Sequence, residues 1–166
     1  MIGNLPDFRL ESWFARWEFT APHNFTASDA QTMTVGQLLD LAGLPPATLT
    51  ELDLGYRPTP GSDSLRQAVA ASYTTLEPQD VLAFTGAQEA LFWVLAELLV
   101  DGGHAVVTVP NYQSMQSIPL ASSAEVSGLP LWTGTGPDLT WTLDLDRLRS
   151  LLRPDTRLVA VNFPNN

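Results

Sequence analysis

Lysine and cysteine are both absent from this chain of 166 residues. Without cysteine there is no disulfide framework, no thiolate metal site and no sulfur nucleophile, and no metal centre is expected. Eight arginines carry all of the basic charge, at positions 9, 16, 57, 66, 147, 149, 153 and 157, and they form no cluster. Eighteen acidic residues oppose them, for a formal charge of −10. Such a surface repels phosphate backbones and anionic lipid headgroups, so neither nucleic acid nor membrane is expected as a partner. Long apolar runs are missing as well. The longest, 90–100, includes Glu97 and is far too short to cross a bilayer. Met1 to Asp7 has neither the basic nor the apolar stretch of a secretory signal, which makes a cytoplasmic location the expectation.

Apolar residues make up 45% of the chain, enough to bury a core and to exclude a disordered tail. Trp13, Phe14, Trp17 and Phe19 fall on one broad aromatic face of a predicted helix, expected to pack on a core or a partner subunit. Ser28-Asp29 suggests a turn, and 34–41 a short helix closed by Pro45-Pro46. From Leu52 onward, helices and short apolar strands alternate. Helices are predicted at 64–73, 87–100, 113–121 and 144–152, the third interrupted by Pro119. Strands are predicted at 81–85, 105–109, 125–131 and 158–163. The helix at 87–100 is apolar almost all round and should be buried. This alternation argues for an α/β fold of three layers, α/β/α, around a largely parallel sheet. Ligands then gather beyond the carboxyl ends of the strands, just after Thr85, Val109 and Phe163.

Each of those three positions carries suitable groups. Thr85-Gly86-Ala87-Gln88-Glu89 leads from a strand into a helix; its small residues and first-turn N–H groups suit an anion, as does the Gln88 amide. It is neither a Walker loop nor a GxGxxG turn, so nucleoside triphosphates and dinucleotides lack their usual signature. Pro110-Asn111-Tyr112 offers a ring that can lie on a flat heteroaromatic ligand or simply cover the sheet edge. Asn162-Phe163-Pro164-Asn165-Asn166 supplies amides that can donate to an anionic oxygen. Upstream, Gly55 to Gly61 reads as a rigid loop presenting Tyr56 and Arg57.

In their order and separation these segments resemble the class I/II aminotransferases, enzymes of fold type I that use pyridoxal 5′-phosphate (PLP). Gly55-Tyr56, Gly61, Leu65-Arg66, Ala68-Val69-Ala70 and Tyr73 resemble an early family signature. Thr85 to Leu91 resembles the phosphate-binding turn, Pro110-Asn111-Tyr112 the segment whose aromatic stacks on the pyridine ring, and Asn162 to Asn166 the first half of an "N-x-P-x-N" motif. The resemblance covers about 50–166 and implies that Gly86, Ala87 and Gln88 hold the phosphate and that Tyr112 stacks on the ring. It also implies that Asn166 bonds the phenolic oxygen, and that Tyr56 reaches the phosphate of a neighbouring subunit in a homodimer. Residues 1–50 correspond to an N-terminal arm and small-domain segment, and 51–166 to the first half of the large PLP-binding domain. The substrates implied are an amino acid and a 2-oxo acid.

The family's Schiff-base lysine has no counterpart among these residues, so no catalytic residue is assigned. The expectation is an enzyme whose second half, lysine included, lies beyond Asn166. The N-terminal stretch from Leu5 to Thr34 is more loosely similar to a subgroup that includes capreomycidine synthase, which implies elimination or cyclisation as the alternative to amino transfer. A non-catalytic fragment serving as an interaction module is the reading from a different class.

Overall fold

A computed structural model describes residues 5–26 and 30–163. In chain order the elements are α1 (Arg9–Trp17), α2 (Val35–Ala42), α3 (Ala47–Thr50), α4 (Asp63–Ala70), α5 (Ala87–Leu98), β1 (His104–Val109), α6 (Ser114–Ala121), β2 (Glu125–Pro130), β3 (Trp132–Thr133), β4 (Thr140–Trp141), α7 (Leu145–Leu151) and β5 (Thr156–Ala160). They fall into two compact units, Met1–Asn24 with Thr85–Asn166, and Phe25–Phe84.

In the Phe25–Phe84 unit, side-chain caps set the helix starts. Thr34 Oγ1 accepts from the Gln37 N–H at 3.2 Å, while Gln37 Oε1 accepts from the Thr34 N–H at 2.8 Å. This reciprocal pair begins α2, and Gly43 in the left-handed conformation ends it ahead of Pro45. Ser62 caps α4 by accepting from Leu65 N–H. The strand predicted at 81–85 does not form. A strand needs a neighbouring ladder, and here the polar groups are satisfied otherwise: the Val81 carbonyl accepts from Arg66 Nε at 3.0 Å, and Ala83 N–H donates to the Pro60 carbonyl at 2.9 Å.

The other unit is built on a parallel sheet in the order β2-β1-β5. β1 runs down the middle and is buried from His104 to Thr108, as a continuous β-branched run between covering layers should be. Its register against β5 skips one residue: His104 pairs with Thr156, but Ala105 pairs with Leu158, leaving Arg157 as the extra residue of a bulge. His104, fully buried, joins all three strands: Nδ1 lies 2.8 Å from Thr156 Oγ1 and Nε2 2.9 Å from Ser127 Oγ.

Helix α6 is continuous through Pro119, where an interruption was expected. The proline removes one N–H, but five of the eight residues, Pro119 among them, are buried, and that packing outweighs the missing bond. The expected all-round burial of α5 is not met. Leu95 is buried, while Trp93 is 57% and Val94 51% exposed, because α5 packs chiefly on α6 and β5. α1 likewise has no buried residue, so its aromatic face does not pack on the core of this chain. β5 begins and ends earlier than predicted, at Thr156 and Ala160.

Candidate active site

Topology brings the starts of the three predicted segments, at Thr85, Pro110 and Asn162, to one edge of the sheet. α5 leads through residues 99–103 into the start of β1 and packs along β5, so its amino end points toward the carboxyl ends of the strands. Twelve helical residues span about 18 Å and six strand residues about 20 Å, so helix and strand are of similar length. β1 and β5 are parallel neighbours, which sets the 110–113 loop beside the segment that follows β5.

At the α5 turn, Gly86 adopts φ 102° and ψ 157°, a conformation essentially restricted to glycine. It has no side chain to cap the helix, so the first-turn N–H groups, those of Ala87 and Gln88 among them, face outward without a carbonyl from their own helix. A Cβ placed on Gly86 would meet nothing within 4 Å, so the glycine itself is uncrowded and is required by its backbone conformation. Glu89 folds back and accepts from Thr85 N–H at 2.7 Å, which stiffens the approach to the helix.

The end of β1 is held by side chains. Asn111 Oδ1 accepts from Tyr112 N–H at 2.7 Å, and Asn111 Nδ2 donates to Thr108 Oγ1 at 2.9 Å. Thr108 in turn donates to the Ala160 carbonyl on β5 at 3.4 Å. The Tyr112 hydroxyl donates to Glu11 Oε1 at 2.7 Å, and the Phe8 ring lies 5.4 Å from the Tyr112 ring, tilted by 53°. Burial, the hydrogen bond to Glu11 and the negative charge of that carboxylate push the Tyr112 phenol up from 10.0 to about 12, so it stays protonated throughout the physiological range. Gln113 adds two ties to the amino-terminal segment, donating to the Asp7 carbonyl at 2.7 Å and accepting from Leu10 N–H at 3.4 Å. Tyr112, Asn111 and Gln113 line a cavity of about 220 Å³ floored by Val107, Val126 and Gly128.

Of the predicted residues, Gly86, Ala87, Gln88 and Tyr112 thus share one unit and one sheet edge. Tyr56 belongs to the Phe25–Phe84 unit and is fully exposed; its loop is held by Asp53, which accepts from Gly55 N–H and, through its backbone carbonyl, from Arg57. Asn166, with Pro164, Asn165 and Ser28, lies outside the described residues. Glu11 and Phe8 went unrecognised as site residues, since no local pattern marks a contact between positions 101 residues apart. Among the described residues, no group of three or more His, Asp or Glu side chains could hold a metal ion, and no helix is long and apolar enough to cross a membrane.

Known proteins share both sequence and fold with this chain. Residues 33–166 match the family described as aminotransferase class I and II. Capreomycidine synthase of Streptomyces vinaceus is 35% identical over 164 residues, 98% of this chain and 41% of that protein. A PLP-dependent aminotransferase from Streptococcus suis superposes with a TM-score of 0.86 at 30% identity, over 98% of this chain and 44% of its own. The PLP-dependent cyclase OrfR, solved in complex with Au, gives a TM-score of 0.83 at 28% identity, over 98% of this chain and 42% of its own. The chain therefore spans less than half the length of these relatives. Its parallel three-stranded sheet and flanking helices form part of an α/β domain of fold type I, and the chain belongs to the class I and II aminotransferases.

Proposed function

We propose that this chain supplies the phosphate- and ring-binding part of a PLP-dependent aminotransferase that moves an amino group between an amino acid and a 2-oxo acid. The observation that carries this reading is the glycine-opened, uncapped amino end of α5. The donor set fits the coenzyme: backbone N–H groups and the positive end of a helix suit a phosphate dianion, and an aromatic ring beside a cavity suits a flat pyridine. When bound, PLP acts as an electron sink for chemistry at the α-carbon of an amino acid.

The amides of Ala87 and Gln88 hold the phosphate, and Gly86 lets it approach the backbone. Tyr112 orients the ring; it neither gives nor takes a proton at neutral pH, because its phenol is held near 12. Asn166 is assigned the phenolic oxygen of the coenzyme. Tyr56, exposed on its loop, is assigned to the phosphate of a neighbouring subunit, which makes the enzyme a homodimer. Residues 1–50 act as arm and small-domain segment and 51–166 as part of the coenzyme domain, in a cytoplasmic protein.

PLP is achiral, so a circular dichroism band in its visible absorption arises only from an ordered site. Adding PLP to this chain is expected to induce such a band, and borohydride is expected to leave no pyridoxyl-lysine, since the chain contains no lysine. A chain that gives no band at saturating PLP contradicts the proposal.

Elimination or cyclisation is the second reading. It is favoured by the match to capreomycidine synthase, which covers 98% of this chain and so includes the amino-terminal segment that the family match, beginning at residue 33, leaves out. A chain of the relatives' full length carrying these residues separates the two: amino transfer consumes a 2-oxo acid, and cyclisation leaves it untouched.

A further inference from the structure

We propose that α1 completes the coenzyme site, with Glu11 and Phe8 as positioning residues that set the plane of the Tyr112 ring. This rests on the reading of Tyr112 as the ring that stacks on the coenzyme.

Stacking needs a fixed plane. A tyrosine side chain has two torsions to fix, the direction in which the ring points and the rotation about its own long axis. The hydroxyl lies on that axis, so its 2.7 Å bond to Glu11 fixes the direction and leaves rotation free. Phe8 supplies the second restraint: its ring, 5.4 Å away and tilted by 53°, obstructs rotation. Behind both, Asn111 holds the Tyr112 N–H, and Gln113 ties the backbone of Asp7 and Leu10 to the next position in the loop. Asp7, Phe8, Leu10 and Glu11 thus engage two consecutive loop residues. This clustering sets the contact apart from general packing, since α1 has no buried residue and contributes little to the core.

The acceptor suits the task. A carboxylate accepting from a phenol makes a charge-assisted bond, shorter and stronger than one between neutral groups. Tyr112 lines the cavity, and its hydroxyl is bonded to Glu11, which is not among the residues that line it. The hydroxyl is therefore engaged by the protein, and the ring face is what remains for a ligand.

The test measures PLP affinity by the induced dichroic band in the full chain. The variants are Glu11→Ala, Glu11→Gln, Phe8→Ala and Phe8→Leu, each alone and combined with Tyr112→Ala. Glu11→Ala and Phe8→Ala are each expected to weaken binding between about two- and tenfold, and neither to weaken it further once Tyr112 is alanine. Glu11→Gln keeps an oxygen acceptor and Phe8→Leu keeps bulk, so each is expected to recover part of the loss. In the coenzyme-free chain, Glu11→Ala is expected to lower the pH at which Tyr112 ionises, read near 295 nm as the difference from Tyr112→Phe. Equal losses with and without Tyr112, or an unchanged ionisation, overturn the proposal. If Tyr112→Ala leaves PLP affinity intact, the stacking reading itself is lost. If Tyr112→Ala weakens binding but both arm variants are neutral, only the positioning role falls.

Discussion

At the α5 turn the groups proposed to meet the ligand are backbone amides, held by one glycine conformation and by a glutamate within the same helical turn. At the end of β1 the corresponding group is a side chain, held by Asn111 next to it and by Glu11 and Phe8 from the far end of the chain. The first arrangement tolerates changes of side chain and is brittle in backbone geometry. The second tolerates backbone adjustment and depends on four particular side chains. A phosphate, which asks for N–H groups and charge, suits the first; a flat ring, which asks for a defined plane, suits the second.

That contrast can be broken most sharply at Gly86. Gly86→Ala is expected to lower unfolding stability by about 1–3 kcal/mol in urea titrations, through backbone strain alone, since the added methyl meets no atom within 4 Å. Gln88→Ala, two positions on, is expected to change stability by less than about 0.5 kcal/mol. Equal costs at both sites contradict the idea of a backbone-built turn. Next in size, Asn111→Ala removes two hydrogen bonds of the 108–112 network and is expected to cost about 1–2 kcal/mol, while Tyr112→Ala is expected to weaken PLP retention by about 1 kcal/mol. A stability loss at Tyr112 larger than at Asn111, with PLP retention intact, assigns the ring to covering the sheet.

A smaller effect tests the sign of the Tyr112 shift. Its proton is held more tightly folded than unfolded, about 12 against 10, so its contribution to stability is complete below pH 10 and is lost as the pH rises through about 12. Stability measured across that window is expected to fall less steeply in Tyr112→Phe than in the parent chain. Smallest of all, Glu89→Gln keeps the bond to Thr85 N–H and removes a negative charge beside the amides proposed to hold the phosphate. It is expected to tighten PLP binding by about 0.3–1 kcal/mol, read as a modest leftward shift of the dichroic titration; weaker binding shows that the charge itself holds the turn.

Much of this was legible from short stretches of sequence. The β-branched run at 105–109 and the small residues at 85–87 are local signals, and they yielded a central strand and an open helix start. Asp144 ahead of α7 is another, since its side chain accepts from Arg147 N–H at 2.8 Å. Residues 81–85 mislead, because apolar character records burial and cannot supply the neighbouring ladder a strand requires. Pro119 misleads in the opposite sense: propensity argues for a break, and burial of Ile118, Pro119 and Ala121 overrides it. The contact of Glu11 and Phe8 with Tyr112 has no local signature, since its partners meet only after folding.

Histidine 104 sits at the end of the sheet opposite the proposed site, yet it bears on how the segment after β5 leaves the strand. Strand residues alternate between faces with a period of two, so the extra residue at Arg157 decides which side each later residue of β5 presents. The imidazole bond to Thr156 lies immediately before that extra residue, and Thr156 also accepts from the Arg153 amide at 2.8 Å. Removing the extra residue would turn Val159 and Ala160 over and reverse the side on which Asn162 leaves the strand. An engineer reshaping the loop after β5 therefore does well to leave that distant trio of imidazole and hydroxyls untouched.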